Sequence, residues 1–185
     1  ACMAAGGGAC GIIAPYVESA EEVRALRGAV KLRPLKGRLL RALLEADAHP
    51  QGELGRYLAE RNADGVLVVN VESVPAVEAL EAILAVPQLD GVLIGAHDLS
   101  ISMGIPEQYA HPEFDRTVRQ IVAAARARGV GAGIHYSMGI QPQIAWARAG
   151  ANLIVHDGDI TSFARSAGAD LAAGNLPTFV FSHQW

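Results

Sequence analysis

Two carboxylates, Glu72 and Asp98, have the placement that most invites chemistry. Glu72 ends the apolar run Gly65-Val66-Leu67-Val68-Val69-Asn70-Val71-Glu72, where a lone carboxylate is costly to bury unpaired. Side chains alternate along a strand, so Val66, Val68, Asn70 and Glu72 share one face. On the next apolar run Val92, Ile94, Ala96 and Asp98 also share a face. If both strands turn those faces to one interior, the two carboxylates converge at adjacent strand ends. Convergent carboxylates with no basic residue beside them suit a hard divalent cation with oxygen ligands, Mg²⁺ or Mn²⁺. The competing role is local, each carboxylate capping the helix or loop that follows it, and spacing alone does not separate the two.

The segment Gly95-Ala96-His97-Asp98-Leu99-Ser100 follows the second run and offers successive backbone N–H groups in a tight turn. Such a nest suits an anion, here a carboxylate beside the metal. Other ligand motifs are missing. There is no G-x-x-x-x-G-K-[ST] phosphate loop, no G-x-G-x-x-G opening a helix after a strand, and no G-x-S-x-G nucleophile elbow. Gly129-Val130-Gly131-Ala132-Gly133 has the glycines, but at the entrance of its strand. His97, His135 and His156 fall near strand ends, where each can line a pocket wall, serve as a ligand or move a proton. His49 and His111 each precede a proline and read as structural, and Met103, Met138 and Trp146 read as packing residues.

The elements that must position these residues alternate. Strands are expected at Gly11 to Val17, Gly65 to Glu72, Gly91 to Ala96, Val130 to His135 and Asn152 to His156. Each is followed by an amphipathic helix. Ser19 and Glu22 form a capping box, Ser73 caps a helix running through Leu84 with Pro75 in its first turn, and Thr161 caps the last. Gly129 and Gly150 stop two others. Continuous apolar strands separated by helices predict a parallel sheet covered by helices, with every strand's carboxyl end on one rim. Glu18, Glu72, Asp98, His135 and His156-Asp157 gather there, the usual ligand edge of a barrel or an open sheet. Glu18 and Asp157 are expected to serve mainly as helix caps. Residues 31–62 break the rhythm as an insertion with two short helices joined around His49-Pro50-Gln51-Gly52. The whole reads as one partial barrel domain over 1–175 and a tail over 176–185.

Composition bounds the function. The 185 residues are 51% hydrophobic and 18% charged, enough for a core. A net charge of −4 and only 5% aromatics argue against a nucleic-acid footprint or a stacking platform. No apolar run approaches a membrane span, no polybasic segment suggests a membrane surface, and no signal peptide is visible. Cys2 and Cys10 share one Gly-rich stretch and cannot staple distant elements, so reduced thiols in a cytoplasmic protein are expected.

Val69-Asn70-Val71-Glu72-Ser73 and Leu89 to Ser100 resemble the HpcH/HpaI aldolase/citrate lyase family. The likeness continues through Ser102-Met103-Gly104, His111-Pro112-Glu113 and Ala149-Gly150-Ala151-Asn152, and before them the basic loop Arg33-Pro34-Leu35-Lys36-Gly37-Arg38 is similar too. The resemblance implies a (β/α)₈ barrel of the phosphoenolpyruvate/pyruvate type and a metal-dependent pyruvate aldolase. Glu72 and Asp98 match its metal ligands, for Mg²⁺ or Mn²⁺ with Co²⁺ as a further option. The backbone around Gly95, Ala96, His97 and Asp98 matches the donors for the keto-acid carboxylate. Asn70 stands where many members carry Gln near the substrate, and His97 replaces a commonly small residue. The implied partners are pyruvate and an aldehyde, within a homo-oligomer that exchanges C-terminal segments.

A closed barrel takes eight βα units and about 250 residues, and five units are legible here. The resemblance assigns a catalytic His and a substrate-binding Arg to the early strands, and no position in this chain matches either. The opening Ala1-Cys2-Met3, without an initiator Met, is expected of a chain that starts inside its parent. The reading is therefore the C-terminal five-eighths of a lyase cleaving or forming a 2-keto-4-hydroxy acid through a pyruvate enolate. A non-catalytic remnant of the same fold and a related metal-enolate reaction, citrate synthesis or acyl-CoA lysis, are the alternatives.

Overall fold

The computed structural model describes residues 1–174, so the tail expected at 176–185, and its exchange between subunits, lie outside the described residues. The elements are α1 (Cys2–Gly6), β1 (Gly11–Ala14), α2 (Ala20–Lys31), α3 (Gly37–Glu45), α4 (Gly52–Arg61) and β2 (Val66–Val71). They continue as α5 (Val74–Glu78), α6 (Leu80–Leu84), β3 (Gly91–Gly95), α7 (Ala96–Ser102), α8 (Pro112–Ala127), β4 (Gly131–Tyr136), α9 (Ile140–Arg148), β5 (Leu153–His156) and α10 (Asp159–Gly174). All five strands are parallel and stand side by side in chain order. A doubly wound sheet would reverse its order at a switch point. The unbroken order is that of a barrel wall, and five of a barrel's eight strands are present among the described residues.

The register divides the side chains between two faces. Leu67, Val69 and Val71 of β2, Val92 and Ile94 of β3, and Ala132 and Ile134 of β4 enter the core against the helices. That core takes in Val23 of α2, Ile83 of α6 and Phe114, Val118 and Ile121 of α8. The opposite face carries Ile13, Val68, Asn70, Leu93, Gly95, Gly133 and His135. It is open toward one margin, where Ile13 is 52% and Val66 44% exposed. These positions would point into the interior of a closed barrel.

Several expected elements change. The single helix from Val74 to Leu84 is two, because α5 ends and α6 begins around Ala79. There Ala82 N–H reaches back three residues to the Ala79 carbonyl, a tightened turn. The residues after β3 form the short helix α7, not a loop. Asp157, not Thr161, fixes the start of α10: its carboxylate accepts from Gly158 N–H and Ser162 Oγ and pairs with Arg165. The capping box stands as expected. Ser19 Oγ accepts from Glu22 N–H at 3.3 Å, and Glu22 accepts from Ser19 N–H at 3.0 Å. Gly129 and Gly150 take φ of 73° and 115° where α8 and α9 stop. No helix among the described residues is long and apolar enough to cross a membrane.

Between α2 and β2, α3 and α4 are tied down by polar links. Arg24 of α2 holds Asp47 through its Nε and Nη2, one edge of the guanidinium, at 2.8–3.1 Å. Arg27, fully buried, donates to the Ala48 carbonyl and to Gln88.

Candidate active site

Glu72 follows β2 directly and precedes Ser73, whose hydroxyl accepts from Ala76 N–H and caps α5. Between a strand end and a capped helix, its backbone has little freedom. The side chain is 6% exposed, and each oxygen receives a donor. Tyr16 N–H gives to Oε1 at 2.8 Å, from a backbone φ of 55°, and Asn70 Nδ2 gives to Oε2 at 2.9 Å. The left-handed region is unfavourable for a residue with a side chain, and Tyr16 adopts it at the turn after β1 while aiming its amide at Glu72. Both donors are neutral. The other amide atom of Asn70, Oδ1, is enclosed and has no hydrogen-bond partner.

Gly95 lies beneath this carboxylate. A Cβ there would fall on Glu72 Oε2 and 2.9 Å from Glu72 Cβ, so the absence of a side chain creates the cradle. Glu72, Asn70, Gly95 and Asp98 line one cavity of about 270 Å³ with His97, Tyr109, His135 and Tyr136. Asp98 is there, but not for the reason its spacing suggested. Val92, Ile94 and Ala96 face the helices, because Asn70 pairs in register with Leu93 and Val69 with Val92. Asp98 reaches the cavity from the first turn of α7, where the chain has left the strand and alternation no longer applies. Ser100, fully buried, pins that turn: its hydroxyl donates to the His97 carbonyl and accepts from Glu107 N–H.

The histidines separate. His135 rises from β4 beside Gly95 and lines the cavity. His97 is at the cavity's edge, its Nδ1 3.6 Å from Glu107. His156 faces away from it, and its Nδ1 meets Gln143 Oε1 of α9 at 2.7 Å. Glu18 is likewise elsewhere, accepting from Ser73 Oγ at 2.6 Å. Tyr109, Tyr136, Ser137 and Met138 are lining residues that the sequence did not flag, and Met138, read as a packing residue, is 69% exposed. Tyr109 belongs to the segment between α7 and α8, where no periodicity marks a side chain's direction. Burial pushes the hydroxyls of Tyr109 and Tyr136 above the ordinary phenol range, with Glu107 adding to it at Tyr109, so both stay protonated and able to donate. Among the described residues no three His, Cys, Asp or Glu side chains gather as a complete cation cage.

A profile described as HpcH/HpaI aldolase/citrate lyase matches residues 2–163. Among curated proteins, the 2-keto-3-deoxy-L-rhamnonate aldolase of Klebsiella pneumoniae is 37% identical over 138 residues, which is 75% of this chain and 50% of that protein. The enzyme of the same name from Salmonella typhi is 35% identical over 170 residues, 89% of this chain and 61% of that one. Among solved structures, an HpcH/HpaI aldolase from Desulfitobacterium hafniense superimposes with a TM-score of 0.69 at 28% identity, covering 94% of this chain and 67% of its own. The citrate synthase SbnG does so with a TM-score of 0.70 at 27% identity, over 91% and 64%. The chain thus spans between half and about three-fifths of the length of these curated relatives.

Proposed function

The chain belongs to the HpcH/HpaI aldolase/citrate lyase family, and from that premise we propose that it supplies the metal- and keto-acid-binding part of a carbon–carbon lyase. The reaction is the cleavage or formation of a 2-keto-4-hydroxy acid through a pyruvate enolate. The observation that carries this reading is the Glu72 cradle. A buried carboxylate is held by two neutral N–H donors, with no basic side chain among the lining residues beyond two histidines, over a glycine that leaves the space above it open. That donor set fits a hard cation. Asn70 Oδ1, enclosed and unpartnered, marks the same place as short of a positive or hydrogen-bearing neighbour.

Glu72 and Asp98 would hold the cation, Mg²⁺ or Mn²⁺, with Co²⁺ as a possible substitute. Two protein carboxylates leave positions for substrate oxygens and water, which suits these ions. Bound there, the cation supplies Lewis acidity toward the charge that develops on an enolate oxygen. The protein's own groups orient the keto acid. The first N–H groups of α7, at Ala96, His97 and Asp98, precede any intrahelical acceptor and are free to bind a carboxylate. Tyr109 offers a protonated hydroxyl. His135 and His97 line the same cavity. The names of the curated relatives point to a 2-keto-3-deoxy sugar acid as the substrate class. A second reading, addition of the enolate to another acid as the name of the SbnG neighbour suggests, differs only in the acceptor.

Mn²⁺ titration followed by water-proton relaxation tests the site. We expect one Mn²⁺ site, lost in Glu72→Gln and in Asp98→Asn, and pyruvate binding that strengthens when Mn²⁺ is present. Unchanged Mn²⁺ affinity in both variants would remove the site. Exchange of pyruvate methyl protons in deuterated water, without aldehyde, reports the enolate. Its absence with metal and pyruvate bound would favour a non-catalytic member of the fold.

A further inference from the structure

A second cavity lies at the opposite edge of the sheet. α2 starts just beyond the carboxyl end of β1 and runs back about 18 Å, at 1.5 Å per residue, so Arg33 and Lys36 fall at the amino edge. There a space of about 720 Å³ is lined by Arg33, Lys36 and Arg61 together with apolar or small residues, among them Gly28, Leu35 and Leu40. No acidic side chain lines it. Residues 31–62 hold seven Lys and Arg against four Asp and Glu, in a chain of net charge −4, so the positive charge is local. Among the described residues none of the three cations joins an ion pair.

Two features make this more than a solvated basic surface. Arg33 Nε is enclosed and has no hydrogen-bond partner, a donor that has lost water and gained nothing in exchange. The backbone also brings the charges together. Asn62 Nδ2 donates to the Arg33 carbonyl and to the Leu58 carbonyl, both at 2.8 Å, which locks the Arg33 loop to the end of α4 beside Arg61. Gly28 keeps the floor low: a Cβ there would come within 3.1 Å of a Leu44 methyl.

We propose that this cavity binds a small phosphate-bearing anion, with Arg33, Lys36 and Arg61 on the phosphoryl oxygens and a short carbon body over Gly28 and Leu40. A guanidinium and a second fork matched to phosphate geometry, plus an ammonium as a point charge, suit a dianion better than a single carboxylate. The site is independent of the lyase reading, since it shares no residue with the Glu72 cavity.

Calorimetric titration with inorganic phosphate, glycerol 3-phosphate and acetate, without divalent metal, tests it. We expect both phosphates to bind and acetate to bind at least tenfold more weakly. Arg61→Gln and Lys36→Gln, at exposed positions, should each weaken phosphate at least fivefold with an unchanged circular dichroism spectrum. Arg33→Lys should weaken it as well, while Glu72→Gln should leave it as it is. Tighter binding of glycerol 3-phosphate than of inorganic phosphate assigns the site to a phosphomonoester; equal binding assigns it to free phosphate. Phosphate affinity unaffected by Arg61→Gln and Lys36→Gln, or abolished by Glu72→Gln, would overturn the proposal.

Discussion

A methyl group added at Gly95 would land on the Glu72 carboxylate, whose Cβ and backbone are held by β2 and the Ser73 cap. Neither side can yield cheaply. Gly95→Ala is expected to weaken Mn²⁺ binding at least tenfold and to cost about 1–3 kcal/mol of stability, as overpacking does; calorimetry and urea unfolding measure the two. Tyr109→Phe is expected to behave in the opposite sense. The Tyr109 ring meets Tyr136 and Phe114 edge-on, with centroids 5.3 and 5.6 Å away, and the change keeps those contacts. Stability should hold within about 0.5 kcal/mol, while pyruvate binding weakens for want of the hydroxyl. Glu72 was legible in the sequence because a carboxylate closing an apolar run demands an explanation. Asp98 was legible through its motif, yet the alternation argument put its strand on the wrong face. Register, which decides the face, is a property of two strands and cannot be read from one. Tyr109 carried no signal because its segment has no period.

Caps are local, and the sequence announced those at Ser19 and Ser73, while the start of α10 expected at Thr161 falls to Asp157. Ser19→Ala is expected to cost about 1 kcal/mol, measured by thermal unfolding, because the hydroxyl and Glu22 exchange hydrogen bonds at the start of α2. The link from α2 to the α3–α4 segment is tertiary and was not visible. The Arg24 guanidinium holds the Asp47 carboxyl below its ordinary value, and Arg119, with Trp146 Nε1, does the same for Asp115. A carboxylate depressed in the folded state stabilises it above the unfolded value of about 3.9, and that contribution fades as pH falls through the lower folded value. Urea midpoints measured from about pH 5 down to about pH 2 should therefore fall less steeply in Asp47→Asn than in the parent protein. The break between α5 and α6 escaped detection because Val77, Leu80, Ile83 and Leu84 keep one apolar face through it. Hydrophobic periodicity reports the face and is blind to a one-residue tightening of the axis.

For the molecule as a whole, the count of five βα units and their parallel order followed from alternating apolar runs, since a buried parallel strand has no other simple pattern. The exposed inner face is the feature with the largest physical consequence. Ile13 of β1, whose other side has no partner among the described residues, and Val66 of β2 stand on it at about half exposure. The isolated 185-residue chain is expected to bind a fluorescent apolar dye and to sediment with concentration-dependent mass; a monodisperse monomer with no dye binding would contradict this. The strand order has a further consequence for how the chain opens. Because each strand pairs only with its neighbours in sequence, β2, β3 and β4 have partners on both sides, while among the described residues β1 and β5 have one each. Amide hydrogens of Val69, Val71, Val92 and Ile94 should exchange with deuterium last, and those of the outer strands first. The two carboxylates would then ride on the slowest-exchanging part of the sheet, keeping their positions while its margins breathe.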